Sequence, residues 1–255
     1  MAVEVFQFPC LSDNYGFLVH DTETGKTATV DTPEAEAINA ALEQQGWHLD
    51  YVFNTHHHFD HAGGNEALKA RWGCQIVGAA NDASRIPGID IQVNEGDMVS
   101  LGNSSAQVQE VPGHTSGHIA YYFAEDGVAF VGDTLFALGC GRLFEGTPEQ
   151  MWHSLQKLTG LPAETVVYCA HEYTQANAAF ALSVEPDNPD LVARAEEIDR
   201  LRAAGQPTVP TTIGQELASN PFVRPDSTHL QQTIGLEGAS VVEVFAETRR
   251  RKDNF

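Results

Sequence analysis

Short apolar runs separated by polar turns dominate the chain up to residue 171. Val3 to Phe8, Tyr15 to Val19 and Thr27 to Val30 read as strands, with Ser-Asp-Asn and Glu-Thr-Gly turns between them. Asp31-Thr32-Pro33 closes the third run and opens a helix, Glu34 to Gln45. Tyr51 to Asn54 reads as a strand, Ala62 to Trp72 as a helix and Gln75 to Ala79 as a strand. Ile86 to Val99 contains Pro87, Gly88 and Gly96 and reads as irregular. Strands return at Ala106 to Val111, Ile119 to Phe123 and Val128 to Val131. A helix with proline at its start, Pro148 to Leu158, precedes a last strand, Thr165 to Cys169. Strands alternating with helices predict layered α/β architecture.

The texture changes after His171. The next stretch is rich in Ala, Leu, Glu and Arg, and predicts helices over Tyr173 to Glu185 and Asp190 to Ala203, broken by Pro186-Asp187-Asn188-Pro189. A loop with Pro207 and Pro210 leads to helical Ile213 to Ser219. The expected organisation is an α/β domain over residues 1–172 and a smaller, mostly helical one over 173–255.

Composition adds limits. A hydrophobic share of 42% and a charged share of 19% describe a globular protein. No stretch approaches the roughly eighteen uninterrupted apolar residues of a membrane span. The N-terminus lacks the basic and apolar regions of an export signal. Cys10, Cys74, Cys140 and Cys169 are far apart and form no CxxC pair, so reduced thiols in a cytoplasmic protein are expected. The net charge is −21, from 35 acidic and 14 basic residues. That excludes nucleic acid as a partner, because phosphate neutralisation needs clustered cations. It also repels anionic small molecules, so an anionic substrate must meet a local basic patch. Arg249-Arg250-Arg251-Lys252 supplies one.

The chemistry concentrates in Thr55 to Asn65, THHHFDHAGGN. Within it, His56-x-His58-x-Asp60-His61 has ligand spacing. On a helix, residues two apart point in nearly opposite directions; in an extended loop they share a side. Imidazole and carboxylate without thiolate suit Zn, Fe or Mn. Further ligands should stand at other strand ends, and His114, Asp133 and His171 each do. Singly, each reads as a structural histidine or a helix cap; together they form a coherent set.

These segments, in this order, resemble the metallo-β-lactamase superfamily. GHTSGH at Gly113 to His118, GDT at Gly132 to Thr134 and AHEY at Ala170 to Tyr173 belong to the same superfamily resemblance. It narrows to the glyoxalase II (hydroxyacylglutathione hydrolase) family through GCGRLFEGT at Gly139 to Thr147, AHEYT at Ala170 to Thr174 and the tail RRRKDNF, and with DNY at Asp13 to Tyr15, VDTP at Val30 to Pro33 and NPFVR at Asn220 to Arg224 it covers essentially the whole chain.

The resemblance implies an αββα sandwich followed by a helical domain that binds glutathione. It implies two divalent ions per chain, zinc first and iron or manganese as alternatives. His56, His58 and His114 would hold one ion, Asp60, His61 and His171 the other, and Asp133 would bridge them. Asp31 and Thr55 would support the ligands. Catalytic roles fall to Asp60, which would orient the attacking hydroxide held between the ions, and to Asp133. Arg142, Phe144, Tyr173, Arg249 and Lys252 match the substrate positions. Phe144 stands where the family often has tyrosine, and Arg142 where lysine is more familiar. The implied reaction is hydrolysis of S-D-lactoylglutathione to D-lactate and glutathione, the second step of methylglyoxal detoxification, by a monomer. The alternatives are a glutathione persulfide dioxygenase of the same superfamily and a non-catalytic metal-binding paralogue.

Overall fold

In the computed structural model, which describes residues 2–255, β1 (Val3–Cys10) and β2 (Asn14–Asp21) pair antiparallel, with Val3 opposite Asp21. β3 (Thr27–Val30) continues the antiparallel run. The direction changes once a helix is available to make the crossover. α1 (Ala35–Gln45) leads to β4 (Tyr51–Phe53), and β4 pairs parallel with β3. α2 (Phe59–Ala62) and α3 (Asn65–Trp72) lead to β5 (Gln75–Ala79), also parallel, and β6 (Ile91–Val93) extends that side. Ile38, Ala41 and Leu42 of α1 and Leu68 of α3 pack on Leu18, Val52 and Ile76, covering the outer face of this sheet.

A second, antiparallel meander follows: β7 (Met98–Leu101), β8 (Ser104–Glu110), β9 (Ile119–Phe123) and β10 (Val128–Gly132). The two sheets meet face to face. Phe53 stacks on Tyr121 at 5.2 Å between ring centroids, and Phe17 meets Phe130 at 5.7 Å. The buried Tyr121 hydroxyl donates to the carbonyl of Asn54 at 3.0 Å, just where the chain leaves β4 for the histidine cluster. These elements form one compact unit, residues up to Glu110 with Ser116–Gly132.

Two strands lie within or begin in the stretch read as irregular. β6 is too short to show a period and owes its ladder to the edge of β5. β7 alternates exposed and buried residues, but Gly96 and Gly102, both at positive φ, close in on it from either side. The helix read from Ala62 to Trp72 is broken at Gly63-Gly64. A Cβ on Gly64 would sit 2.9 Å from the carbonyl of Thr32, so glycine is what lets the loop after β3 pass beside it.

Asp21, fully buried at the end of β2, ties the two sheets together. It accepts backbone N–H bonds from Glu23 at 2.8 Å, Thr24 at 3.2 Å, Asn103 at 2.5 Å and Ser104 at 3.0 Å. Burial alone would raise its pKa, but these donors outweigh it and hold the carboxyl below the ordinary aspartate value. A depressed folded-state pKa contributes stability above the unfolded value, about 4, that is lost as pH falls through the folded value. Asp21→Asn is therefore expected to cost about 1–3 kcal/mol at pH 7, with the gap to wild type narrowing at pH 3 in denaturant titrations.

The second unit comprises Val111–Thr115 and Asp133–Phe255. β11 (Leu135–Phe136) and β12 (Gly139–Cys140) form a small hairpin. α4 (Pro148–Thr159) starts in a reciprocal cap between Thr147 and Gln150. β13 (Val166–Cys169) precedes α5 (Thr174–Val184) and α6 (Pro189–Ala203), which pack through Ala178, Ala181, Leu191, Ala195 and Ile198 around Leu138. β14 (Thr211–Thr212) pairs with β13, and α7 (Ile213–Ser219), α8 (Thr228–Ile234) and α9 (Val241–Asp253) complete the unit. The basic tail is thus the end of a helix. Ser240 and Glu243 cap it, and Val244, Phe245, Thr248 and Arg249 are buried. Among the described residues no helix is long and apolar enough to cross a membrane.

Candidate metal centre

Extended backbone carries the chain from β4 through the histidine cluster; His58 has φ −56° and ψ 149°. Residues two apart therefore share a side, and His56 Nε2 lies 3.1 Å from His58 Nδ1. α2 then turns Asp60 and His61 back towards them. His61 Nε2 is 3.5 Å from Asp60 Oδ2, and the His56 and His61 rings are 4.0 Å apart. His57, perpendicular to His56, instead places Nδ1 3.0 Å from Asp82 Oδ2; Asp82 also pairs with Arg85.

The ring nitrogens turned away from this convergence are held by one buried carboxylate and one hydroxyl. Asp31 Oδ2 lies 2.8 Å from His61 Nδ1 and accepts the Thr55 hydroxyl at 2.8 Å, while its Oδ1 accepts the Thr55 N–H at 2.7 Å. Thr55 Oγ1 is 3.1 Å from His56 Nδ1. Asp31 achieves this with φ +58°, a left-handed backbone that aspartate tolerates better than most residues. Such contacts fix which imidazole nitrogen faces an ion. Asn14 donates to Asp60 Oδ2 at 3.2 Å. Sequence reasoning gave Asn14 and Asp82 no role. Asn14 had a signal, its place in the DNY segment; Asp82 had none.

In the second unit, His114, Asp133 and His171 are all buried. Asp133 offers Oδ2 to His114 Nε2 and Oδ1 to His171 Nε2, each at 3.4 Å. One carboxylate thus faces two imidazoles, one with each oxygen. His114 Nδ1 lies 2.9 Å from the carbonyl of Arg142, which orients its ring. The close approach of that segment needs Gly141, whose Cβ would lie 2.0 Å from the carbonyl of Asp133. In each unit the donors are imidazole and carboxylate, a set that fits borderline-to-hard divalent ions.

The residues matched to substrate differ in accessibility. Arg142 and Phe144 are exposed, and the Phe144 ring meets His114 edge-on at 5.1 Å. Tyr173 stacks flat on His171 at 4.7 Å and remains partly exposed. Arg249 is buried, donating to the carbonyl of Cys140 at 2.8 Å and pairing with Asp253. Lys252 Nζ lies 5.5 Å from the ring centres of Phe180 and of Phe255. Burial, followed by the charges of Arg249 and Arg142, holds its ammonium below the ordinary lysine range. Arg142, Arg249 and Lys252 thus lie near one another, with Asp253 beside them, in an otherwise acidic protein.

Residues 24–171 match the family model of the metallo-beta-lactamase superfamily, and residues 172–255 match the model described as hydroxyacylglutathione hydrolase C-terminus. A hydroxyacylglutathione hydrolase from Maricaulis maris is 59% identical over 249 residues, covering 98% of this chain and 97% of its own. The chain belongs to the hydroxyacylglutathione hydrolases. Among solved structures, this hydrolase is similar to ETHE1 from Myxococcus xanthus, with a TM-score of 0.68, 26% identity and full coverage of both chains. It is also similar to TTHA1623 in a di-iron-bound form, with a TM-score of 0.62 and 25% identity over 86% of this chain and 99% of the other. The metallo-β-lactamase fold and the His and Asp clusters give this hydrolase a divalent-metal site.

Proposed function

We propose that this chain hydrolyses S-D-lactoylglutathione and related 2-hydroxyacylglutathione thioesters, releasing a 2-hydroxy acid and glutathione. The observation that carries this reading is the C-terminal match over residues 172–255. A metal site of His and Asp serves many hydrolytic reactions, whereas that segment contains Tyr173, Arg249 and Lys252 and so bears on the substrate. On this reading residues 1–172 hold the metal, and 173–255, joined by Arg142, hold the glutathione moiety.

His56, His58 and His114 would hold one ion and Asp60, His61 and His171 a second, with Asp133 shared; zinc is the first choice, iron or manganese the alternatives. Bound divalent ions make water acidic near neutral pH and draw charge from a carbonyl oxygen. Asp60, held by Asn14, presents a carboxylate oxygen able to orient a water proton. Arg142 and Lys252 hold the carboxylates of glutathione by charge, and the Arg142 fork suits bidentate contact. The departing thiolate is stable enough to leave without a strong general acid. Cys140 takes no covalent part: burial, opposed by Arg249, pushes its thiol up to about 11. A cytoplasmic monomer completes the proposal, in keeping with four free, buried cysteines.

The test is purified protein assayed with S-D-lactoylglutathione, with metal content measured on the same sample. Thioester cleavage is expected, and Lys252→Ala is expected to raise KM about tenfold, near 1.4 kcal/mol, with kcat little changed. Full metal content without cleavage would overturn the reading. Oxygen uptake with glutathione persulfide instead would favour the dioxygenase alternative.

A further inference from the structure

The β11–β12 hairpin begins just after Asp133 and ends just before Arg142, whose carbonyl holds His114. Besides its own strand pairing, its backbone is held by side chains from the chain that follows. Asn220 Nδ2 lies 3.2 Å from the carbonyl of Phe136 and 3.0 Å from that of Gly139. Asn177 Nδ2 donates to the carbonyl of Ala137 at 3.1 Å, and Arg249 to that of Cys140 at 2.8 Å. At the tip, Leu138 is fully buried with φ +58°, a backbone that a bulky residue rarely adopts. Its N–H donates to Glu216 Oε2 at 2.9 Å.

Glu216 is itself fully buried. Oε2 accepts from Leu138 and, at 2.9 Å, from Asn220; Oε1 accepts from Arg194 at 2.5 Å and Thr211 at 2.6 Å. As placed, all four partners donate to it. A glutamine would turn an N–H₂ towards the Leu138 N–H and Asn220 Nδ2 on one side or towards Arg194 on the other. The cost of burying this charge is offset only with all partners in place.

We propose that Glu216 is a positioning residue for the metal ligands: through Leu138 and Asn220 it fixes the hairpin that delivers Asp133 at one end and orients His114 at the other. The C-terminal helices then set metal affinity as well as substrate recognition. This inference rests on the metal centre proposed above. Groups bonded directly to ligands, as the Arg142 carbonyl is to His114, change metal affinity by about 10- to 100-fold when displaced.

The experiment is competition for zinc against a chromogenic chelator, with wild type, Glu216→Gln and Glu185→Gln. Glu185 is the control. It is equally buried and bound by Arg224 and Ser227 in the same unit, but makes no bond to the hairpin. Glu216→Gln is expected to weaken zinc binding about 10- to 100-fold. Glu185→Gln is expected to stay within about threefold of wild type even if it melts as early. Unchanged affinity in Glu216→Gln, or an equal loss in Glu185→Gln, would overturn the proposal. Should Glu216→Gln fail to fold, Asn177→Ala, which loses the Ala137 bond, must shift affinity the same way. Wild type that binds no zinc would instead sink the metal reading, and this inference with it.

Discussion

Asp133→Ala is expected to lower kcat/KM by on the order of 10³-fold, about 4 kcal/mol of transition-state stabilisation. The size follows from its position. Both oxygens face imidazoles, His114 Nε2 on one side and His171 Nε2 on the other, at 3.4 Å each. Its loss removes negative charge from the divalent-metal site, so the metal bound per chain should fall, below two ions on the proposed two-ion reading. Metal analysis and steady-state kinetics on one preparation check both halves. Two ions retained with near-wild-type turnover would remove Asp133 from the centre.

The second large effect is expected at Asp31. Alanine there leaves the Thr55 N–H, the Thr55 hydroxyl and His61 Nδ1 without their acceptor in a buried place, and alanine tolerates φ +58° poorly. The combined cost is on the order of 3–5 kcal/mol, or roughly 10 °C in Tm for a chain of this size. Metal affinity should fall a further 10- to 100-fold, because His56 and His61 lose their orientation. The Asp31→Asn change should be milder, since asparagine accepts left-handed backbone and keeps one acceptor. Thermal melts of both variants with and without added zinc separate the effects: added metal should recover more Tm for Asp31→Asn than for Asp31→Ala. Equal, wild-type-like melts would show that Asp31 carries no such load.

Much of the fold was legible because its elements are locally self-consistent. Thr27–Val30, Gln75–Ala79 and Ile119–Phe123 begin and end where their apolar runs do. α4 carries its proline and reciprocal cap in plain sequence. The helix at the C-terminus was hidden by its own charges, which read as a basic patch and mask the inward-facing Val244, Phe245 and Thr248. The candidate ligands could be read because each ends a strand, where loops collect functional groups. Of the groups around them, Asp31 and Thr55 came only through the resemblance, and Asp82 and Glu216 not at all. Asp82 meets His57 from 25 residues away, and Glu216 meets Leu138 from 78 residues away. No spacing rule reaches that far. Arg249 shows the limit from the other side. Its charge and place in the tail suggested substrate, while the structure commits one of its donors to the Cys140 carbonyl.

The four cysteines have a consequence for life beside the product. Cys10, Cys74, Cys140 and Cys169 are all buried. Burial, reinforced by Glu34, pushes the Cys10 thiol up to about 12, and burial raises Cys74 and Cys140 as well. At neutral pH Cys10 and Cys140 hold on the order of one thiolate in ten thousand or fewer, and exchange with disulfides requires the thiolate. A catalyst that releases glutathione works amid glutathione disulfide whenever the pool is oxidised. Its own buried sulfurs should be slow to enter mixed disulfides, so turnover should persist as the surrounding glutathione is oxidised.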